Sequence, residues 1–205
     1  MKIFYDLNGS LYANITNKCP CACRFCLRKN GDSVGGNDSL WLEHEPTIEE
    51  IKNAFDAVDK SKYTEVVFCG YGEPMERAFD LIKIAKYIKE SSDLKIRINT
   101  NGLVSLIHPT FDLYSMKGLI DSISISLNAS DPDKYYYITN SKFGLPSYNS
   151  MLNFAIISSS FIPNVVFTIV GVVDEEEVQA CKNRAEDLGI PLKIRSYISD
   201  NVSYN

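Results

Sequence analysis

The sequence lacks several features that would place it in a class at once. Its 205 residues contain no apolar stretch long enough to cross a bilayer. The first residues, MKIFYDLNGS, lack the basic patch and apolar run of a signal peptide. We therefore expect a cytoplasmic protein with no membrane partner, in which cysteines stay reduced. There is no basic run, and the formal net charge is −5, which disfavours nucleic acid as a partner without excluding it.

The overall composition is that of an ordinary globular protein. Hydrophobic residues make up 45% of the chain and charged residues 23%, which is neither a disordered nor a membrane-spanning composition. The sequence contains no internal repeat, linker or low-complexity tract. We therefore expect one domain covering residues 1–205, long enough to bury a sizeable core.

Apolar, strand-like runs alternate with helical patterns along the chain. Strands are predicted at residues 10–16, 63–70, 94–100, 121–127, 164–170 and 192–198. Helices are predicted at residues 47–60, where Thr47 and Glu50 form a capping box, and at 76–90, 146–158 and 174–189. This order predicts an α/β fold with parallel strands, in the form of a partial (β/α)6 TIM-like barrel.

Four of the predicted strands carry polar residues on one face. In DSISISLNA, for example, Ser122, Ser124, Ser126 and Asn128 alternate with apolar residues. An antiparallel sheet with one wet face would explain such a pattern. In a parallel barrel the same pattern indicates a cavity for a polar ligand, lined by Arg97, Asn99, Asn101, Arg195 and Tyr197.

The cysteines are concentrated in one short stretch. Four of the six fall in KCPCACRFC, where Cys19, Cys23 and Cys26 have the spacing C-x3-C-x2-C and Cys21 lies between them. A structural zinc site would need a second C-x2-C pair, and ferredoxin-type runs have the spacing C-x2-C-x2-C. Neither pattern fits. Three thiolates on one loop can hold three irons of a [4Fe–4S] cluster and leave the fourth open to an exogenous ligand.

With Phe25 as the aromatic residue, C-x3-C-x-aromatic-C resembles the signature of radical S-adenosylmethionine (SAM) enzymes. The resemblance implies that Cys19, Cys23 and Cys26 hold the cluster and that Cys21 does not. It covers nearly the whole chain. The strings NITNKCPCACRFCLR, DSLWLEHEPT, FCGYGEP, RINTNGL and SISLNA are similar more narrowly to TatD-associated radical SAM proteins, a family whose name defines no reaction.

Further motifs carry implied roles in binding SAM. GYGEP resembles the family's G-x-G-E-P motif, in which Gly70 and Gly72 would allow close backbone approach to the ligand and Glu73 would pair with the SAM ammonium. A simple strand-to-helix turn is the alternative. Ser126 and Asn128 match the family's ribose-contacting position. FTIVGVVD resembles a further motif but has Phe167 and Asp174 in place of a glycine and a glutamate, which weakens the assignment of adenine contacts there.

Two other segments leave alternatives open. The long polar stretch 28–46 could cover the substrate cavity. The aromatic run YYYITN, residues 135–140, could stack on a base or pack against neighbouring helices.

The resemblance implies reductive cleavage of SAM to a 5′-deoxyadenosyl radical, which abstracts hydrogen from a substrate. The substrate would be a small molecule or a partner protein, and a flavodoxin or ferredoxin would supply the electron. Asn99 and Arg195 would orient SAM or substrate from the polar face. The alternative is a non-catalytic module that uses all four clustered cysteines for metal binding or electron transfer.

Overall fold

A computed structural model describes residues 1–29, 31, 39–171 and 174–195. Its centre is one seven-stranded sheet in which the strands lie in chain order from β1 to β7. Strands β2 to β7 are parallel to one another. The strands are β1 Phe4–Leu7, β2 Ser10–Ala13, β3 Glu65–Phe68, β4 Lys95–Thr100, β5 Ser122–Ser126, β6 Asn164–Val170 and β7 Leu192–Arg195.

The six predicted strands are confirmed, and their ends differ by a few residues. The predicted residues 196–198, including Tyr197, lie outside the described part of the chain, as do residues 30 and 32–38 of the 28–46 stretch. The prediction missed β1, which pairs antiparallel with β2. The turn between them is Asn8–Gly9, and both residues have positive φ (52° and 75°), as a tight hairpin turn requires.

In the described part of the chain, six α-helices follow the strands: α1 Ile48–Asp56, α2 Ala78–Ser91, α3 Val104–Ile107, α4 Pro132–Thr139, α5 Pro146–Ser159 and α6 Glu175–Asp187. The capping box of α1 is confirmed, because the Glu50 amide donates to Thr47 Oγ1 and the Thr47 amide donates to the Glu50 carboxylate. The N-cap of α6 is Asp174, whose carboxylate accepts from the amide of Glu177.

Helix α4 was not predicted, and it includes most of the aromatic run. Asp131 caps it by accepting a hydrogen bond from the Lys134 amide at 2.9 Å, and Pro132 occupies the first turn. Tyr135 is buried, whereas Tyr136 and Tyr137 are exposed. The packing interpretation of this run therefore holds for Tyr135.

The two faces of the sheet differ as the sequence predicts. On one face, strand residues and helix residues form the main apolar core, which includes Leu11, Phe68, Ile98, Ile125 and Phe167. The other face carries Asn14, Glu65, Arg97, Ser124 and Thr168. Parallel pairing with helices on the apolar face confirms the α/β barrel interpretation and removes the antiparallel alternative for β2 to β7. Among the described helices, none has the length and apolar character needed to span a membrane.

Candidate active site

The cysteine-rich loop, residues 18–26, follows the carboxyl end of β2 and is held against the end of α4. Three backbone hydrogen bonds of 2.9 Å join them: Ala22 N to Thr139 O, Arg24 N to Ile138 O, and Lys142 N to Pro20 O. The Arg24 guanidinium lies 3.7 Å from the centre of the Tyr137 ring. An unpredicted helix therefore fixes the loop that carries the predicted cluster ligands.

The thiols in this loop are not equivalent. Cys21 is buried, and hydrogen bonds to Cys19 and Cys23 raise the pKa of its thiol. The hydrogen bond from Cys21 lowers the pKa of Cys23. This hydrogen bond therefore favours the protonated form of Cys21 and the thiolate form of Cys23. Asn101 Nδ2 also lies 3.8 Å from Cys21 Sγ.

Arg28 contacts the thiol of Cys26. Arg28 Nε donates to Cys26 Sγ at 3.4 Å, and its Nη1 and Nη2 donate to the carbonyl oxygens of Asn17 and Cys21 at 3.3 and 3.5 Å. One cation therefore links both ends of the loop and lies beside the thiols, where it favours thiolates.

Within the described ranges, no three His, Cys, Asp or Glu side chains form a group that could hold a metal ion as they stand. Cys19, Cys23 and Cys26 therefore remain a predicted ligand set. Their chemistry fits an iron–sulfur cluster, because thiolates are its ordinary protein ligands. Phe25, beside Cys26 in the sequence, is partly exposed.

The glycines of GYGEP allow close contact between two protein segments. A Cβ on Gly70 would lie 2.0 Å from Asn14 Oδ1, and one on Gly72 would lie 2.2 Å from the carbonyl oxygen of Thr16. The loop is also bonded to this segment through Glu73 N, which donates to Lys18 O at 2.8 Å. We expected these glycines to admit a ligand. In the structure they instead allow the segment that leads into the cysteine loop to pack closely against GYGEP.

Glu73 is buried, with 4% of its surface exposed. Its carboxylate accepts hydrogen bonds from Thr100 Oγ1 at 2.6 Å, Asn101 N at 2.7 Å and Met75 N at 3.0 Å. Burial nevertheless raises the pKa of Glu73 to about 7. The carboxylate thus joins the end of β3 to the end of β4, a positioning role that the sequence did not suggest.

The other predicted site residues lie along the polar face or at its carboxyl edge. Asn99 Oδ1 is buried and has no hydrogen-bond partner among the described residues. Asn128, just after β5, is buried and has a positive φ of 60°. Ser126 and Arg195 end β5 and β7. Arg97 forms an ion pair of 2.8 Å with Glu65, so the charge of this predicted cavity residue is already paired within the protein.

The sequence reasoning missed Asn14 as a site residue. It is fully buried, donates to Leu40 O at 2.7 Å and accepts from Tyr71 N at 3.3 Å. The only signal was its place on the polar side of a predicted strand, which does not identify its partners. Arg28 and Thr100 were also missed, and neither lies on the polar face: Arg28 lies in the turn Leu27–Lys29, and Thr100 is opposite Ile125 on the apolar face.

Comparison with known proteins identifies the architecture. The sequence profile described as "Radical SAM superfamily" matches residues 13–183. The chain belongs to the radical SAM superfamily. This membership disfavours the alternative of a non-catalytic metal-binding module.

Two curated relatives share about a third of their aligned residues with this radical SAM superfamily member. "Probable GTP 3',8-cyclase" of Methanocaldococcus jannaschii is 32% identical over 135 residues, which cover 66% of this chain and 41% of that protein. "GTP 3',8-cyclase" of Limosilactobacillus fermentum is 30% identical over 149 residues, covering 68% and 40%. The chain thus spans about two fifths of the length of these two relatives.

A solved structure shows the same fold at low identity. Streptococcus suis SuiB bound to S-adenosylmethionine superposes with a TM-score of 0.64 at 14% identity, covering 95% of this chain and 40% of that one. The two proteins therefore share a fold over nearly the whole of this chain.

Proposed function

We propose that this radical SAM enzyme holds a [4Fe–4S] cluster through Cys19, Cys23 and Cys26 and binds SAM at the carboxyl edge of the sheet. The observation that carries the proposal is the place of the cysteine loop, which lies against both the GYGEP loop and the end of β4. When bound, the cluster supplies one electron for cleavage of SAM to methionine and a 5′-deoxyadenosyl radical, which removes hydrogen from the substrate.

The chain's own residues would prepare this site in three ways. Arg28 places a positive charge beside the Cys26 sulfur, and the hydrogen bond from Cys21 favours the thiolate form of Cys23. Glu73 fixes the turn after β3 against Asn101. Gly70, Gly72, Phe25, Asn99, Ser126, Asn128 and Arg195 remain proposed contacts for SAM or substrate.

The role proposed for Glu73 differs from the one that the sequence predicted. It was predicted to pair with the SAM ammonium, and three donors of the protein already occupy its carboxylate. A carboxylate oxygen can accept more than one hydrogen bond, so contact with SAM is compatible with this geometry. Its support of the binding loop is independent of that contact.

The substrate is a small molecule or a partner protein, and a flavodoxin or ferredoxin would supply the electron. A cytoplasmic location follows from the proposed cluster and the free cysteines, which need a reducing compartment.

The experiment compares alanine variants of the four clustered cysteines after anaerobic reconstitution. Alanine at Cys19, Cys23 or Cys26 should abolish 5′-deoxyadenosine formation, whereas Cys21→Ala should keep the cluster and SAM cleavage. Iron and sulfide content and product yield are the measurements. Cys69→Ala, which lies outside the loop, is the matched control.

Two outcomes would contradict the proposal. Stoichiometric zinc with no iron after reconstitution of the unaltered protein would remove the cluster. Loss of iron in Cys21→Ala as complete as in the other three variants would favour a closed four-thiolate site, which leaves no iron open to SAM.

A further inference from the structure

The cysteine loop and the turn after it carry positive charge without a matching carboxylate. From Lys18 to Lys29 the sequence contains Lys18, Arg24, Arg28 and Lys29 and no aspartate or glutamate. Lys18, Arg24 and Lys29 are exposed. Among the described residues, no carboxylate forms an ion pair with any of these three. Because the whole chain has a formal net charge of −5, this concentration of cations is a local feature.

The hydrogen bonds of the loop place a further cation and an aromatic side chain beside these residues. Lys142 N donates to Pro20 O at 2.9 Å, and the Lys142 side chain is 56% exposed, with a long ion pair of 3.8 Å to Glu76. Arg24 Nε donates to Tyr137 O at 2.9 Å, and the guanidinium lies over the Tyr137 ring. Tyr137 is 63% exposed. We call the following residues the basic patch: Lys18, Arg24, Lys29, Tyr137 and Lys142.

The part of the basic patch formed by Arg24 and Tyr137 lies on the outer side of the barrel. Helix α4 packs into the main apolar core through Tyr135, and Tyr137 lies on the exposed side of the same helix. SAM and substrate are proposed to bind at the polar face and its carboxyl edge. A protein can therefore approach the cysteine loop from the side of α4 without entering that space.

Charge and composition indicate the chemistry of the partner. Exposed cations attract a partner of negative charge and speed its association, and arginine and tyrosine are enriched at protein interfaces. Electron-transfer proteins form weak encounters that bury less than about 1,200 Å², so a small patch beside the reacting group suits them. Lys18 and Arg24 are next to Cys19 and Cys23 in the sequence, so a partner on the patch lies close to the proposed cluster.

We infer that an acidic electron-transfer protein docks on the basic patch and delivers its electron to the cluster from there. The inference deepens the proposed function and rests on it, because it requires a cluster on the cysteine loop. In this step the donor loses one electron and the cluster gains one, and no bond forms or breaks at the patch. The approach from the side of α4 favours a donor over a partner protein that serves as substrate, since a substrate must reach the polar face.

The test measures binding of an acidic flavodoxin, used as the probe, to the reconstituted protein under anaerobic conditions. Lys18→Glu/Lys29→Glu reverses two exposed charges of the patch, and we expect its Kd for flavodoxin to rise about tenfold or more at low ionic strength. The difference should shrink at about 0.5 M salt, because salt screens exposed charges. Formation of 5′-deoxyadenosine should slow with flavodoxin as donor. With dithionite, a small reductant that needs no docking surface, it should stay close to that of the unaltered protein.

Lys86→Glu/Lys117→Glu is the matched control, because it changes the net charge by the same amount. Both lysines are exposed and lie toward the amino edge of the sheet, Lys86 in the second half of α2 and Lys117 in the segment before β5. This variant should bind flavodoxin like the unaltered protein. An equal loss of affinity in the two double variants would overturn the inference, since flavodoxin would then respond to net charge alone. No binding of flavodoxin or of an acidic ferredoxin to the unaltered protein, or displacement of either by a short DNA duplex, would also overturn it.

A second variant covers the case in which Lys18→Glu/Lys29→Glu does not fold. Asp133→Asn removes a negative charge one helical turn from Tyr137 on α4, so flavodoxin should bind about twofold more tightly at low ionic strength. In that case unchanged or weaker binding by Asp133→Asn would overturn the inference. Failure of the proposed function looks different, because the unaltered protein would then hold no iron.

Discussion

Replacing Glu73 by glutamine tests how the burial of its carboxylate affects folding. Burial raises the pKa of Glu73 from 4.5 to about 7. A carboxyl group whose pKa is higher in the folded state stabilises the fold fully below pH 4.5, and this stabilisation is lost as the pH rises through about 7. The shift of about 2.5 units corresponds to about 3 kcal/mol at 1.36 kcal/mol per unit. Glutamine is neutral at every pH and has nearly the same shape.

The expected result is a stability difference that depends on pH. Between pH 5 and pH 8 the unaltered protein should lose about 2.5 kcal/mol of unfolding free energy relative to Glu73→Gln, because only the unaltered protein must bury a charge. Urea denaturation of both proteins, prepared anaerobically with equal iron content, measures the difference. Taking the difference removes titrations that the two proteins share.

A difference that stays constant from pH 5 to pH 8 would refute this reasoning. It would mean that the hydrogen bonds from Thr100, Asn101 and Met75 to Glu73 fully compensate for the burial of its charge. Glu76→Gln is a suitable control, because this neighbouring carboxylate on the same turn contributes less to the pKa of Glu73 than burial and the three hydrogen bonds do.

Three other predictions concern the contacts that hold the site. Glu73→Ala should keep the cluster but weaken SAM binding tenfold or more, since a charge-assisted hydrogen bond contributes about 1.5–3 kcal/mol; equal SAM affinity by titration calorimetry would count against a role in binding. Gly72→Ala should destabilise the protein by about 1–3 kcal/mol in urea, because its Cβ would lie 2.2 Å from a backbone oxygen, whereas Gly171→Ala, 3.5 Å from its nearest neighbour, should have little effect. Asp131→Ala removes the cap of α4 and should cost about 1 kcal/mol in thermal unfolding together with part of the iron content. Asp112→Ala, which uncaps the remote turn Leu113–Met116, should leave iron content unchanged.

The sequence predicted what depends on local patterns. Strand and helix periodicity, the capping box at Thr47 and Glu50 and the spacing of the cysteines are all set within a few residues. For this reason the parallel sheet, its polar face and the cysteine loop were predictable. Two missed elements also had local signals, namely Asn8–Gly9 for the β1–β2 hairpin and Asp131–Pro132 for the start of α4.

The contacts that shape the site were not predictable, because they join residues far apart in sequence. Glu73 meets Thr100 and Asn101 only because β3 and β4 are neighbours in register. Asn14 meets Tyr71 across 57 positions of the chain. An isolated sequence does not specify which of several buried polar residues will be partners, although it does indicate that each needs one.

The cysteine loop is held mainly through its backbone, and this bears on how its variants should behave. The carbonyl of Lys18 accepts from Glu73 N, and the amides of Ala22 and Arg24 donate to α4. These bonds do not involve cysteine side chains, so replacing a thiol by alanine should leave the path of the loop largely intact. A cysteine variant that loses its iron should therefore have lost a ligand and kept its fold. The difference expected between Cys21 and the other three cysteines can then be interpreted as a difference in coordination.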